Sequence, residues 1–221
     1  MVLAIFYTGL FVTLTTLPLI YYHYELHGIS YLQASLALFC SINVMICWWE
    51  MGLFLNRGLI KTQYNAFKKR LKKNELPSPM FLFDHVTLSQ AVSLEYWALV
   101  WSTYSLIDPS YADQTTFGFF VDVGNGFTTI IPSVIFAVSM TWPFMSARIL
   151  GVMGLIKFYQ EMYGTIIYFF SFVLNQRYSG KPAAQIYIVI ISNSLWIVFP
   201  VLGLYASYIL VDRNDYSVFF S

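Results

Sequence analysis

Asn193-Ser194-Leu195-Trp196-Ile197-Val198-Phe199-Pro200 lies inside an apolar run from about Ile186 to Val211. A helix crosses a bilayer with about 20 apolar residues, so this run is long enough to span. An amide gains nothing in such a helix. Asn193 must find a hydrogen-bond partner or pay the full cost of desolvation. Asn193, Trp196 and Pro200 fall at i, i+3 and i+7 and therefore share one helical face. An amide beside an indole within a membrane reads as the wall of a pocket.

Outward from that run the pattern repeats. Val2–Tyr22, Ser30–Leu55, Phe117–Met140 and Ile149–Leu174 are also long and apolar, which predicts five spanning helices. Of the 221 residues, 58% are hydrophobic and 10% are charged, against about 25% charged in ordinary soluble domains. The chain therefore reads as all-α, a polytopic membrane helix bundle forming a single membrane domain over 1–221. The net charge of +1 gives no reason to expect nucleic acid. No His/Cys cluster has metal-ligand spacing, and no cofactor is implied. Cys40 and Cys47 lie two turns apart on one helix, roughly 10 Å by helical rise. That is too far for a disulfide. Val2–Tyr22 has no basic lead-in and no small-residue cleavage motif, so it is expected to be a retained helix rather than a cleaved signal.

Met80–Ile107 is long enough to span but carries Asp84, His85 and Glu95. Arg57, Lys61, Lys68, Lys69, Arg70, Lys72 and Lys73 follow the second apolar run, and Arg177 and Lys181 precede the last. These basic groups fall on one side of the membrane, as the positive-inside rule prefers, only if Met80–Ile107 does not cross. We therefore expect five spanning helices plus one interfacial or re-entrant helix, a cytoplasmic N-terminus and a C-terminus on the far side. The stretch Ala66–Lys73 reads first as a solvated, orientation-setting loop and second as a contact for anionic lipid headgroups. Pro77 and Pro79 break any helix there. Asp108-Pro109-Ser110-Tyr111 reads as a turn.

Polar residues inside spanning segments are the strongest functional signal such a chain offers. Asn43 and Glu50 lie seven residues apart on the second helix. Asp122 and Asn125 lie in Asp122-Val-Gly124-Asn125-Gly126, whose glycines permit close approach by another backbone or a ligand. Glu161 and Tyr163 lie on the fourth helix, and Asn193 and Trp196 on the fifth. Each has a structural alternative. Glu50 can snorkel to the interface, Glu161 can pair with Lys157 one turn earlier, Asp122 can face water, and Asn193 can be a simple interhelical bond. Trp48, Trp49, Trp97, Trp101 and Trp142 fit an interfacial belt, with Trp49 also a ligand-binding candidate beside Glu50.

Asn193-x-Leu195-Trp196-x-Val198-x-Pro200 resembles the last-helix motif of the emopamil-binding proteins, the sterol isomerase branch of the EXPERA-domain family. Tyr163-Gly164-x-x-x-Tyr168-Phe169 is similar to that family's fourth-helix motif, and Glu50-x-Gly52 to its Glu-Gly element. Trp101-x-x-Tyr104-Ser105 followed by Asp108-x-x-Tyr111 is similar to the turn before its third helix. The resemblance runs from about Ile46 to Tyr208, within an EXPERA-like core of about 30–211. It implies a five-helix bundle of the endoplasmic reticulum around a sterol-sized cavity. Its isomerases shift a ring double bond from the 8-position to the 7-position by protonation and deprotonation through a carbocation. By position, Glu50, Asn193 and Trp196 would carry that chemistry with Asp122. The Trp would stabilise the cation by about 2 kcal/mol when desolvated. Two positions depart from the family. Ile46 stands where the family has a His, and Val123 stands where it has a Glu, with Asp122 adjacent. His23, His27 and His85 lie elsewhere, and only His85 has a route to the site.

Three functions are therefore weighed. The first is a non-catalytic relative that binds a sterol or other lipid, or serves as an accessory subunit or homodimer in a membrane assembly. The second is a sterol double-bond isomerase. The third is a transporter or channel, disfavoured because no inverted repeat is visible and few polar positions could line a path. Ligand-binding candidates are Asn43, Trp49, Asn125, Glu161, Tyr163, Asn193 and Trp196. Phe219 and Phe220 near the C-terminus point to a partner surface or lipid. No retrieval signal is seen there.

Overall fold

The computed structural model describes residues 1–70 and 79–220. Lys72, Lys73 and Pro77 of the basic stretch lie outside the described residues. A two-residue strand, β1 (Val2–Leu3), leads into α1 (Ala4–His27). Gly28, at φ 84, ends α1 in a backbone conformation that costs glycine little. Ser30 then caps α2 (Tyr31–Leu55) by accepting from the Gln33 amide. After one residue, α3 (Arg57–Arg70) begins. The expected basic loop is thus a helix as far as Arg70. Its Ile60 is buried and Leu59 packs on the core, while Lys61, Lys68, Lys69 and Arg70 are exposed. This two-faced pattern holds a helix flat on a surface rather than leaving it a loop.

Met80–Ile107 does not form a spanning helix. It breaks into a 3-10 turn (Met80–Phe83), a strand β2 (His85–Val86), α4 (Leu88–Ala91) and α5 (Leu94–Tyr104). Thr87 and Gln90 form a reciprocal capping box at α4, and Ser93 caps α5. β2 pairs antiparallel with β1, Val86 opposite Val2 and His85 opposite Leu3. α5 lies against α2 and α3. α6 (Ser110–Asp113) leads to α7 (Phe117–Thr128) and α8 (Ile130–Ser139).

The run Phe117–Met140, expected as one straight helix, is broken at Thr129 and bent by 50°. Pro132 supplies the reason. It cannot donate to the Thr128 carbonyl four residues back, and its ring crowds that carbonyl. The last two helices are α9 (Ala147–Leu174) and α10 (Ala183–Arg213). Gly154 lets them meet closely, because a Cβ there would fall 2.2 Å from the Ser207 hydroxyl oxygen of α10.

α1, α2 and α10 are long and apolar enough to cross a membrane, and α7 with α8 makes a fourth such segment if the bent pair is one span. The described residues pack around two main cores. One joins Leu36 and Phe39 early in α2 to Leu150 of α9, Leu210 of α10 and Phe219. The other joins Leu53 late in α2 to Ile60, Trp101, Tyr111, Tyr168, Phe172 and Val189. The two ends of the bundle are therefore distinct. The late part of α2, α3, α5, α6, the end of α9 and the start of α10 share one end. The C-terminal segment tucks into the other. Phe219 is fully buried there, and its carbonyl is hydrogen-bonded to His23 Nε2 at 2.9 Å. Phe219 thus serves the chain's own core and not a partner surface.

Candidate functional site

The apolar packing that sorts helix faces leaves their amides and carboxyls with only one another to bond. Asn43 of α2 is the hub. The Trp196 indole can only donate, and its N–H reaches Asn43 Oδ1 at 2.8 Å. Asn43 Nδ2 then points the other way, donating to Glu161 Oε1 at 2.8 Å and lying 3.0 Å from Ser133 Oγ. Glu161 also accepts from Lys157 Nζ at 2.8 and 2.9 Å, and both side chains are almost wholly buried. The Lys157 ammonium sits 4.1 Å from the Phe158 ring centroid, a further favourable contact for the cation. The structural pair considered for Glu161 thus forms.

Glu50 does not snorkel outward. It is buried, and its Oε2 accepts from Asn125 Nδ2 at 2.7 Å. Gly126 is why α7 can come this close. A Cβ there would lie 2.7 Å from Glu50 Cβ and 3.0 Å from the Cys47 carbonyl oxygen. Gly124, by contrast, has nothing within 4 Å and supports no close approach.

These side chains border one cavity, which lies towards the end of the bundle that carries α3. Its volume is about 180 Å³, small against the range of about 300–1,000 Å³ typical of small-molecule pockets. Glu50, Asp122, Asn125, Glu161, Asn193 and Trp196 all line it. Asn193 donates to the Tyr104 hydroxyl at 3.2 Å. Aromatic walls come from Trp49, Trp101, Tyr104 and Tyr111. Among the described residues, neither Glu50 nor Asp122 has a cation within ion-pair distance. A cavity with two uncompensated carboxyls and aromatic walls can bind a largely apolar molecule with one polar end. It can also hold or move a proton.

The chain matches no family model, and no curated protein or solved structure matches it.

Several sequence expectations change at this level. Tyr163 is outside the cavity. It is 49% exposed and stacks on Tyr159 along the outer face of α9. Asn43 contributes behind the wall, through Trp196 and Glu161, rather than in it. His85 is exposed on β2 and does not reach the site. Two of the five belt tryptophans are interior. Trp97 donates to the Ala91 carbonyl and Trp101 to the Trp49 carbonyl, each at 2.7 Å. Trp48 and Trp142 do face outward. Ile46 lines the cavity, as does Asp122, while Val123 packs into the core around Phe119. Thus α7 turns Val121, Asp122 and Asn125 to the cavity, and not Val123.

Trp101, Tyr104, Tyr111 and Thr165 line the site without having been singled out for it. The available signal was the spacing Trp101-x-x-Tyr104, which puts both rings on one face of α5.

A second polar cluster backs the wall. Asp108 is fully buried and accepts from Arg177 Nη1 at 2.6 Å, the Tyr168 hydroxyl at 2.9 Å and the Ser110 amide at 3.1 Å. It ties the end of α9 to the turn before α6, which holds Tyr111 in place.

Proposed function

We propose that this chain is a membrane protein of the emopamil-binding-protein type, in which the intramembrane cavity binds a sterol or a lipid of similar girth without altering it. The observation that carries this reading is the meeting of Glu50, Asp122, Asn193 and Trp196 on one aromatic-walled cavity. A sterol's flat apolar rings suit the walls, and its single hydroxyl suits Asn193, Tyr104 or a carboxyl. Ile46 favours binding over chemistry, because it presents a hydrocarbon where the family it resembles has an acid–base imidazole.

In this reading the chain crosses the membrane five times, with the broken α7–α8 pair as the third crossing and α9 as the fourth. α9 is less apolar than the rest because of Lys157 and Glu161. Those charges neutralise each other in the interior, which lowers the cost of carrying them across. α1 buries only Ala4, Thr16, Leu19 and His23, so its outer face meets lipid, another membrane subunit or a second copy.

The test is native mass spectrometry of the chain released from mild detergent, with lipid extraction in parallel. One sterol-sized lipid per chain is expected, with retention lost in Trp101→Ala. Folded protein that carries no such lipid and fails to crosslink a photoactivatable sterol would overturn the reading.

A sterol double-bond isomerase is the second reading. Glu50 and Asp122 favour it, since both face the cavity without a cation partner. One carboxyl would donate a proton to the alkene, and the other would accept a different ring proton from the resulting cation, so protons balance. Incubation of an 8-unsaturated sterol in heavy water would give a 7-unsaturated product with one deuterium. Unchanged substrate, recovered from folded protein that binds it, sinks this version and leaves the first.

A further inference from the structure

The basic residues noted in the sequence are unused by the cavity, and the fold gathers them. α3 packs on α5 and α6, and Gln114, just after α6, donates to the Arg57 carbonyl at 3.3 Å. α6 also adjoins the connection between α9 and α10, through Asp108 and Arg177 at 2.6 Å. The segments Arg57–Arg70 and Arg177–Lys181, far apart in sequence, thus meet at one end of the bundle.

Between α6 and that connection lies an open hollow of about 410 Å³, bordered by Pro109, Asp113, Asn175, Arg177, Ser179 and Lys181. Asp108, behind the hollow, is held by Arg177, while Asp113 on its edge keeps its charge, with Oδ1 accepting from the Thr115 amide and hydroxyl at 3.0 Å each. Lys181 has no counter-ion among the described residues. Burial holds its ammonium below the usual range; Asp108 opposes this, and Arg177 and Lys68 add repulsion.

The opposite end of the bundle is different in kind. Its charges are Glu25, Arg148, Asp212, Arg213 and Asp215, of mixed sign. Among the described residues, the excess of cations lies at the α3 end, where the candidate spans α2 and α10 end and begin.

We infer that the hollow between α6 and the α9–α10 connection, edged by Arg177 and Lys181 and flanked by the basic helix α3, seats the phosphate of an anionic glycerophospholipid. The ligand is a lipid rather than a free anion because the site opens where the spanning helices α2 and α10 leave the bilayer. Acyl chains hanging from a phosphate there would lie along those helices. Ser179 offers a neutral donor beside the cations. The site is separate from the cavity and does not depend on what the cavity binds.

The test uses the whole chain in nanodiscs of phosphatidylcholine carrying spin-labelled phosphatidylglycerol or spin-labelled phosphatidylcholine. The immobilised fraction of each label gives their relative association. Phosphatidylglycerol should be preferred, and Lys181→Gln and Lys68→Gln should each reduce the preference, by roughly fivefold for a fully effective surface lysine. The double variant should abolish it. Arg148→Gln with Arg213→Gln, at the other end, should leave it intact. Thermal unfolding of each variant shows that it remains folded. Equal association of both labels, equal loss in the far-end variant, or displacement of the labelled lipid by inorganic phosphate at matched ionic strength would each overturn the inference.

Discussion

The indole N–H of Trp196 donates to Oδ1 of Asn43 at 2.8 Å, joining α10 to α2. That one bond sets the orientation of the Asn43 amide, since its oxygen must face the only available direction of donation. Its nitrogen is thereby aimed at Glu161 and Ser133. An entire buried network therefore takes its polarity from a group that cannot accept.

Asn43→Leu should consequently orphan two groups at once, the Trp196 N–H and one bond to Glu161. Each unsatisfied buried group costs about 1–3 kcal/mol. The expected loss of stability is therefore at the upper end for a single substitution, read as the shift in unfolding midpoint in mixed micelles. Trp196→Phe should cost less on the polar side, because Asn43 keeps its other partners. A smaller loss for Asn43→Leu than for Trp196→Phe would mean that the network is not the stabilising element.

Lys157 and Glu161 test the same interior by charge. Their side chains are 1% and 0% exposed. Lys157→Met leaves a buried carboxyl without its cation and should destabilise by about 3–5 kcal/mol. Lys157→Met with Glu161→Met removes both charges and should recover most of that loss, since well-packed apolar replacements are often neutral or better. A double-mutant cycle in detergent gives the coupling. If the two losses simply add, the pair is not coupled.

How much of this could be read from the chain depends on what each residue type can tolerate. α1, α2 and α10 are legible because length and apolarity alone make a span. The break at Thr129 is less so, because Pro132 sits three residues into α8, where a helix start also tolerates proline. α3 hides among its lysines, and its apolar face shows only once Leu59 and Ile60 have α5 to pack on. In the site, Asn43, Glu50, Asn125 and Glu161 were legible because an amide or carboxyl in an apolar helix must find another. Tyrosine and tryptophan carry no such compulsion. Tyr163 therefore faces outward where the motif placed it in the site, while Trp101 leaves the expected belt for the interior.

The glycines of α7 give a paired prediction. Gly126→Ala puts a Cβ 2.7 Å from Glu50 Cβ, so α2 and α7 must part. Overpacking of this kind costs about 1–3 kcal/mol. Gly124→Ala meets nothing within 4 Å and should stabilise the helix by up to about 1 kcal/mol. Unfolding midpoints of the two variants should therefore move in opposite directions. Equal shifts would show that α7 is not seated on α2 at Gly126.

Tyr104 and Tyr163 separate the cavity from the outer surface. Tyr104 lines the cavity and accepts from Asn193 at 3.2 Å, whereas Tyr163 is 49% exposed on the far face of α9. If a sterol-sized lipid occupies the cavity, Tyr104→Phe should weaken its retention by removing the acceptor that holds the Asn193 amide, an effect of about 0.5–1.5 kcal/mol and hence roughly two- to tenfold in affinity. Tyr163→Phe and Tyr163→Leu should leave retention unchanged. Crosslinking yield with a photoactivatable sterol, titrated against unlabelled competitor, measures both. A loss on substituting Tyr163 with none on substituting Tyr104 would move the binding site to the outer face of α9, where the aromatic pair Tyr159 and Tyr163 would then be the surface to examine.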